Sequence, residues 1–127
     1  MPFAAAINQS ALDHIFQKSV WTPPGNLSIV LSTTTPDAGG GNITQPVGNG
    51  YAPIATVPAD WTRSGLEMSN VAREDFPEAT GSWGTVTHFA LLDGATPIAF
   101  GALTPAQAVL TGQQPYFNPG ALVCRYL

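Results

Sequence analysis

The run Gly81-Ser82-Trp83-Gly84-Thr85-Val86-Thr87-His88-Phe89-Ala90-Leu91-Leu92-Asp93-Gly94 and the run Pro97-Ile98-Ala99-Phe100-Gly101-Ala102-Leu103-Thr104 constrain the fold more than any other part of the chain. Both have the length of a strand and carry Val, Thr, Phe, Ile and Leu, which suit a pleated, buried surface; Asp93 to Pro97 supplies the residues that reverse a chain. The pair reads as a hairpin at the centre of a sheet. Side chains alternate across a strand, so Trp83, Thr85, Thr87, Phe89 and Leu91 share one side and Val86, His88, Ala90 and Leu92 the other. Neither side is polar, and both faces therefore need cover. The sources are a second layer of strands, the N-terminal segment or another copy of the protein.

A chain of 127 residues is long enough to supply much of that cover, since a domain of this size buries roughly two-thirds of the surface its unfolded chain exposes. Length predicts a single domain over 1–127. Hydrophobic residues make up 44% but charged residues only 9%, against about a quarter in ordinary soluble domains. An exterior with so few charges suits contact with neighbouring subunits better than life as a monomer. The net charge is −4, and the four basic residues Lys18, Arg63, Arg73 and Arg125 form no cluster able to neutralise a phosphate backbone, which argues against nucleic-acid binding. The N-terminus has no basic, long-apolar leader, and no apolar run approaches the roughly 20 residues that cross a bilayer. The expectation is a protein made in the cytoplasm, with neither export signal nor membrane span.

From Phe3 to Lys18, the residues Phe3, Ile7, Ala11, Leu12, Ile15 and Phe16 recur at spacings of three and four, and the segment lacks Gly and internal Pro. This predicts one helix over Ala4 to Lys18, ended before Pro23-Pro24-Gly25. Its apolar face packs on the domain's own sheet or docks on a neighbouring subunit. Leu27 to Ser32 reads as a strand. The long polar connection Thr33 to Gly50, with Gly39-Gly40-Gly41 in it, reads as functional or mobile rather than as a plain connector. Tyr51 to Val57 reads as a strand that Pro53 confines to an edge or a bulge. A strand is expected near Met68 to Phe76, and the charged set Arg73-Glu74-Asp75 reads as a solvated face with local ion pairing. Ala106 to Leu110, Tyr116-Phe117 and Ala121 to Leu127 complete the strands. Short strands punctuated by Gly and Pro, without a βα alternation, give a mainly β fold: an antiparallel β-sandwich or small barrel over 21–127 with one N-terminal α-helix in 1–20.

The residues available for chemistry are few. With two histidines and one cysteine, no nucleophile, base and orienting group converge in the sequence, and no cofactor or metal ligand set is expected. His88 reads as a hydrogen-bonded core or interface histidine. His14 and Asp13 diverge by about 100° on a helix and do not share a ligand. Cys124 reads as a small buried hydrophobe. Gly39-Gly40-Gly41 lacks the Lys-Ser/Thr that completes a phosphate cradle, and Gly81-Ser82-Trp83-Gly84 is not a nucleophile elbow. Trp21, Tyr51, Trp61 and Tyr116 suit core or interface positions better than a sugar-stacking platform.

Several stretches together resemble a family of small tailed-bacteriophage virion proteins: Leu12 to Phe16, Leu31 to Gly41, Gly50-Tyr51-Ala52, Phe76 to Phe89 and Ala99 to Thr104. Members are commonly labelled tail fibre or minor structural proteins, and proteins of this size also decorate or cement capsids. The resemblance implies a non-enzymatic virion subunit that associates with itself, a homotrimer by preference, and with other virion proteins such as the major capsid or tail proteins. The candidate interface residues are Phe3, Ile7, Leu12, Ile15, Phe16, Trp83 and Phe89. The rival reading from another class is a carbohydrate- or receptor-binding module at a fibre tip, which would expose aromatics beside Asp, Asn or Gln.

Overall fold

The computed structural model describes residues 1–125. Among them are one α-helix, α1 (Ala5–Ile15), a 3₁₀ turn (Pro58–Asp60) and nine strands. The strands are β1 (Leu27–Ser32), β2 (Ile54–Ala55), β3 (Trp61–Ser64), β4 (Glu67–Asn70), β5 (Glu74–Asp75), β6 (Gly84–Asp93), β7 (Thr96–Val109), β8 (Tyr116–Phe117) and β9 (Val123–Arg125). All pairings are antiparallel. They build a four-stranded sheet in the order β2-β1-β6-β7, a three-stranded sheet β3-β4-β9 and the pair β5-β8. The fold is mainly β with one helix, as the sequence predicts, and is consistent with a β-sandwich.

The expected central hairpin is β6 and β7, and both faces of β6 are covered. On one face Val86 and Leu91 join Ile29, Leu31, Phe76 and Trp83 in the main core; the irregularity between Val86 and His88 breaks the simple alternation, which would set Val86 on the face of Ala90 and Leu92. On the other, Ala90 and Leu92 join Val30 in a smaller core against which Ile43 and Phe100 pack. β7 stands at the sheet edge, where the N-terminal segment pairs with it: the Ala4 N–H donates to the Ile98 carbonyl (2.8 Å), the Phe100 N–H donates to the Pro2 carbonyl (3.2 Å), and Phe3 bridges Ala99. That arm pairs an edge otherwise open to other strands. Ala106 to Leu110, which the sequence separates from the hairpin, largely continues β7: Gln107 and Ala108 pair with Val86 and Thr85 after a register shift.

Ile43 reaches the second face because the 33–50 connection is fastened rather than loose. The Asp37 carboxylate accepts the N–H groups of Gly39 (3.0 Å) and Gly41 (2.8 Å), and Thr33 N–H donates to the Thr44 carbonyl (2.9 Å). The Ser32 hydroxyl, fully buried, donates to the Thr34 carbonyl (2.8 Å) and accepts the N–H of Thr44 (3.1 Å). Ala5 N–H donates to the Ala38 carbonyl (3.1 Å), tying the same loop to the start of α1. The connection is therefore a cover for the sheet.

Between 59 and 76 the chain differs from the expected single strand. Gly65, at φ +60°, closes a two-residue turn between the paired Ser64 and Glu67, so β3 and β4 form a hairpin and β5 is separate. Arg73 and Asp75 pair at 2.7 Å on the surface, but Glu74 between them is buried, which corrects the reading of this set as a solvated face. Strand alternation sends the middle residue of the three inward. β9 begins at Val123; of the expected closing strand, residues 126 and 127 lie outside the described residues.

Candidate functional site

The seven residues that the sequence groups as a candidate interface fall into two sets. Ile7 and Trp83 are buried in the main core, and Phe3 and Phe89 pack half-buried against it. Trp83 is held there by its indole N–H, which donates to the Asn49 carbonyl (2.8 Å), and Phe89 lies against Phe117 with ring centroids 5.2 Å apart. Leu12, Ile15 and Phe16 face solvent with 53, 63 and 68% of their surface exposed, and Val20, which the sequence reading leaves out, is 87% exposed. The apolar residues of α1 do not form one narrow stripe: at about 100° per residue, Ile7 and Leu12 stand roughly 140° apart. The first turns pack on the sheet, and the last ones carry their apolar residues outward.

The helix ends three residues earlier than the spacing predicts because the chain turns back at Gln17, which takes φ +61°. Gln17 N–H donates to the His14 carbonyl (3.2 Å) and Lys18 N–H to the Asp13 carbonyl (2.8 Å), a Schellman closure built on a non-glycine residue. Trp21 N–H then donates to His14 Nδ1 (3.2 Å), and the Trp21 ring packs against the main core. The turn that presents Val20 is thus anchored at both ends.

Four titratable or nucleophilic side chains elsewhere, those of His88, Tyr51, Cys124 and Glu74, are held within the fold. His88 Nδ1 lies 2.8 Å from the Thr87 hydroxyl, and the ring is half-buried beside Ser32 on β1. The Tyr51 hydroxyl donates to Gln45 Oε1 (2.8 Å) and accepts Leu31 N–H (3.1 Å), and burial pushes its pKa up to about 12. Burial raises the Cys124 thiol above its ordinary value, away from thiolate reactivity. Glu74 is likewise raised, by burial first and then by Asp60 and Asp75. Among the described residues no group of three or more His, Cys, Asp and Glu is placed to hold a metal ion.

Among the clefts that open on the described surface, two have partly apolar walls. One, of about 580 Å³, lies between β7 and the 113–117 segment; Gln107, Gln113, Gln114 and Tyr116 line it above a floor containing Leu31 and Val86. The other, of about 290 Å³, is lined by Trp61, Met68, Leu27 and Val57. The four aromatics weighed for a platform are not brought together. Tyr51 stacks on Phe76 in the core, Trp61 donates its indole N–H to the Thr56 hydroxyl (3.1 Å), and Trp21 packs at the base of α1. Tyr116 alone of them faces the larger cleft.

No helix among the described residues is long and apolar enough to cross a membrane. A family model described as podophage GP4 fiber I protein gp80 matches residues 2–125. No curated protein matches the chain.

Proposed function

This chain belongs to the podophage GP4 fiber I protein family, a family of phage tail-fibre structural proteins, and on that premise we propose that it is a non-enzymatic fibre subunit joined to its neighbours through the exposed end of α1. The observation that carries this reading is the solvent-facing set Leu12, Ile15, Phe16 and Val20 on one anchored helix end. Four exposed large apolar side chains within nine residues of one helix end, rather than scattered singly over the surface, are the kind of surface that interaction sites use. Full burial of a Leu, Ile, Phe or Val side chain contributes about 1.5–3 kcal/mol. Covering all four supplies a term comparable with the roughly 4–15 kcal/mol that association costs in lost freedom. The low charge of the chain, 9% of residues, adds little repulsion between copies.

Absence of catalysis is part of the same reading. It is supported by the burial of Cys124, by the bond of the Ser32 hydroxyl to the Thr34 carbonyl, and by His88, whose ring meets the hydroxyl of its half-buried neighbour Thr87 (2.8 Å) while no described acid orients it as a base. Family membership favours a place on the tail fibre over capsid decoration.

The test is the molar mass of the purified protein by light scattering, together with uptake of the protein into particles, for wild type and Phe16→Asp. A mass above that of one chain, or uptake into particles, that Phe16→Asp abolishes is the expected result. A wild-type monomer that never enters particles refutes the proposal.

A further inference from the structure

We propose that the cleft of about 580 Å³ between β7 and the 113–117 segment is a binding site for a neutral saccharide, a role separate from assembly through α1. Its volume lies within the range of about 300–1,000 Å³ typical of small-molecule sites. Its lining includes no Asp, Glu, Lys, Arg or His, and the Arg73 guanidinium that stacks on Tyr116 is already paired with Asp75, so a charged ligand would lose hydration there without gaining a free counter-charge. What the rim offers instead is carboxamides. The Gln107 and Gln114 side chains are exposed and hydrogen-bond no described residue, while Gln113 uses Oε1 to accept the Leu110 N–H (2.8 Å) and keeps its NH₂ group. A carboxamide both donates and accepts, and so does a sugar hydroxyl. The partly exposed Leu103, Pro115 and Phe117 add apolar surface, which suits the C–H face of a pyranose ring.

Tyr116 adds an aromatic wall that is ordered before any ligand arrives. The Arg73 guanidinium lies over one face of its ring, 3.7 Å from the centroid, and is pinned by Asp75 at 2.7 Å; Asp75 is itself the cross-strand partner of Tyr116. A ligand can therefore stack only on the opposite face, with little ordering left to do. An extended peptide is the competing occupant. Peptides dock on sheet edges through a regular backbone ladder, and the β7 residues between Ala102 and Gln107, which border the cleft at Leu103, are shifted out of register with β6. That geometry favours the saccharide.

The test is a titration of isotope-labelled protein, followed by nuclear magnetic resonance, with a panel of neutral mono- to tetrasaccharides that includes N-acetylated and deoxy sugars. Sialyllactose serves as the anionic comparison and an unstructured neutral peptide as the competing class. Two variants accompany wild type: Gln114→Ala removes an exposed amide, and Ala108→Arg fills the cleft from an exposed position on β7. The expected result is saturable perturbation of the lining residues by a neutral sugar, with affinity about ten-fold or more weaker in both variants and circular dichroism unchanged. A third variant, Tyr116→Ala, is expected to lose affinity by a similar factor. The proposal is overturned if the whole neutral panel leaves these resonances unmoved at millimolar concentration, if sialyllactose or the peptide binds there more tightly, or if both variants bind as wild type does.

Discussion

Asn70 Oδ1 accepts the backbone N–H of Leu122 at 2.9 Å, joining two residues 52 positions apart, one 2% exposed and the other fully buried. The same side chain donates from Nδ2 to the carbonyls of Ala72 (2.8 Å) and Asn118 (2.9 Å), and the Asn70 carbonyl accepts Gly120 N–H (2.9 Å). One amide thus fastens the end of β4 to the loop that leads into β9. Asn70→Leu keeps the branched shape of the side chain and strands the buried Leu122 N–H, a loss of about 1–3 kcal/mol for that group alone. Urea unfolding should show a lower midpoint with an unchanged slope. A midpoint equal to wild type would mean that water or another group satisfies the Leu122 N–H.

Glu74 gives the fold a pH dependence of definite sign. The residue is 9% exposed, and its carboxyl is raised above the ordinary value of 4.5 by desolvation first and then by Asp60 and Asp75, so the folded state holds this proton more tightly than the unfolded chain does. The group's contribution is favourable below 4.5 and is lost as pH rises through the folded pKa, leaving the charged form penalised at neutral pH. Glu74→Gln should therefore raise the melting temperature at pH 7, and the difference from wild type should shrink as pH falls below 4.5. A variant less stable than wild type at pH 7 would show that the ionised carboxylate is stabilising.

Gly40 sits at φ +81°, and a Cβ placed there would lie 2.4 Å from Pro97 Cβ and 3.4 Å from Ala4 Cβ. Only a residue without a side chain lets the 37–41 turn lie against β7 and the N-terminal arm. Gly40→Ala is expected to cost about 1–3 kcal/mol and to speed amide exchange at Gly39 and Gly41. Gly39→Ala, whose Cβ would meet only Asp37 Oδ1 at 3.4 Å in an exposed position, is expected to leave both unchanged.

These residues show which parts of the fold the chain discloses by itself. The β6–β7 hairpin and α1 are visible because apolar alternation and three-four spacing are local patterns, and the edge position of β2 follows from Pro53. The roles of Asn70 and Glu74 depend on partners from other strands, so their burial leaves no local sign. Ile43 looks like a stray apolar residue in a polar loop until the Asp37 and Ser32 hydrogen bonds fold that loop onto the sheet. In the candidate interface, spacing identifies Leu12, Ile15 and Phe16 as apolar helix positions, but only the direction in which α1 leaves the sheet separates them from Ile7. Gln107, Gln113 and Gln114 carry no motif, and the cleft they line exists because the two ends of the 107–117 segment fold toward each other.

Ile7 and Phe16 separate folding from assembly within one helix. Ile7 is 7% exposed and belongs to the main core, so Ile7→Asp buries an unpaired carboxylate and should cost at least about 3 kcal/mol of fold stability. Phe16 is 68% exposed, so Phe16→Asp should change the stability of the free chain by no more than about 0.5 kcal/mol. Under the proposed assembly the order reverses, because a carboxylate at position 16 would then be desolvated beside Leu12, Ile15 and Val20 in the contact. Thermal unfolding of the dilute chain and molar mass at high concentration read the two effects independently. Phe16→Asp is expected to unfold as wild type does and to lose association; a variant that keeps both wild-type mass and wild-type uptake into particles would remove the end of α1 from the interface.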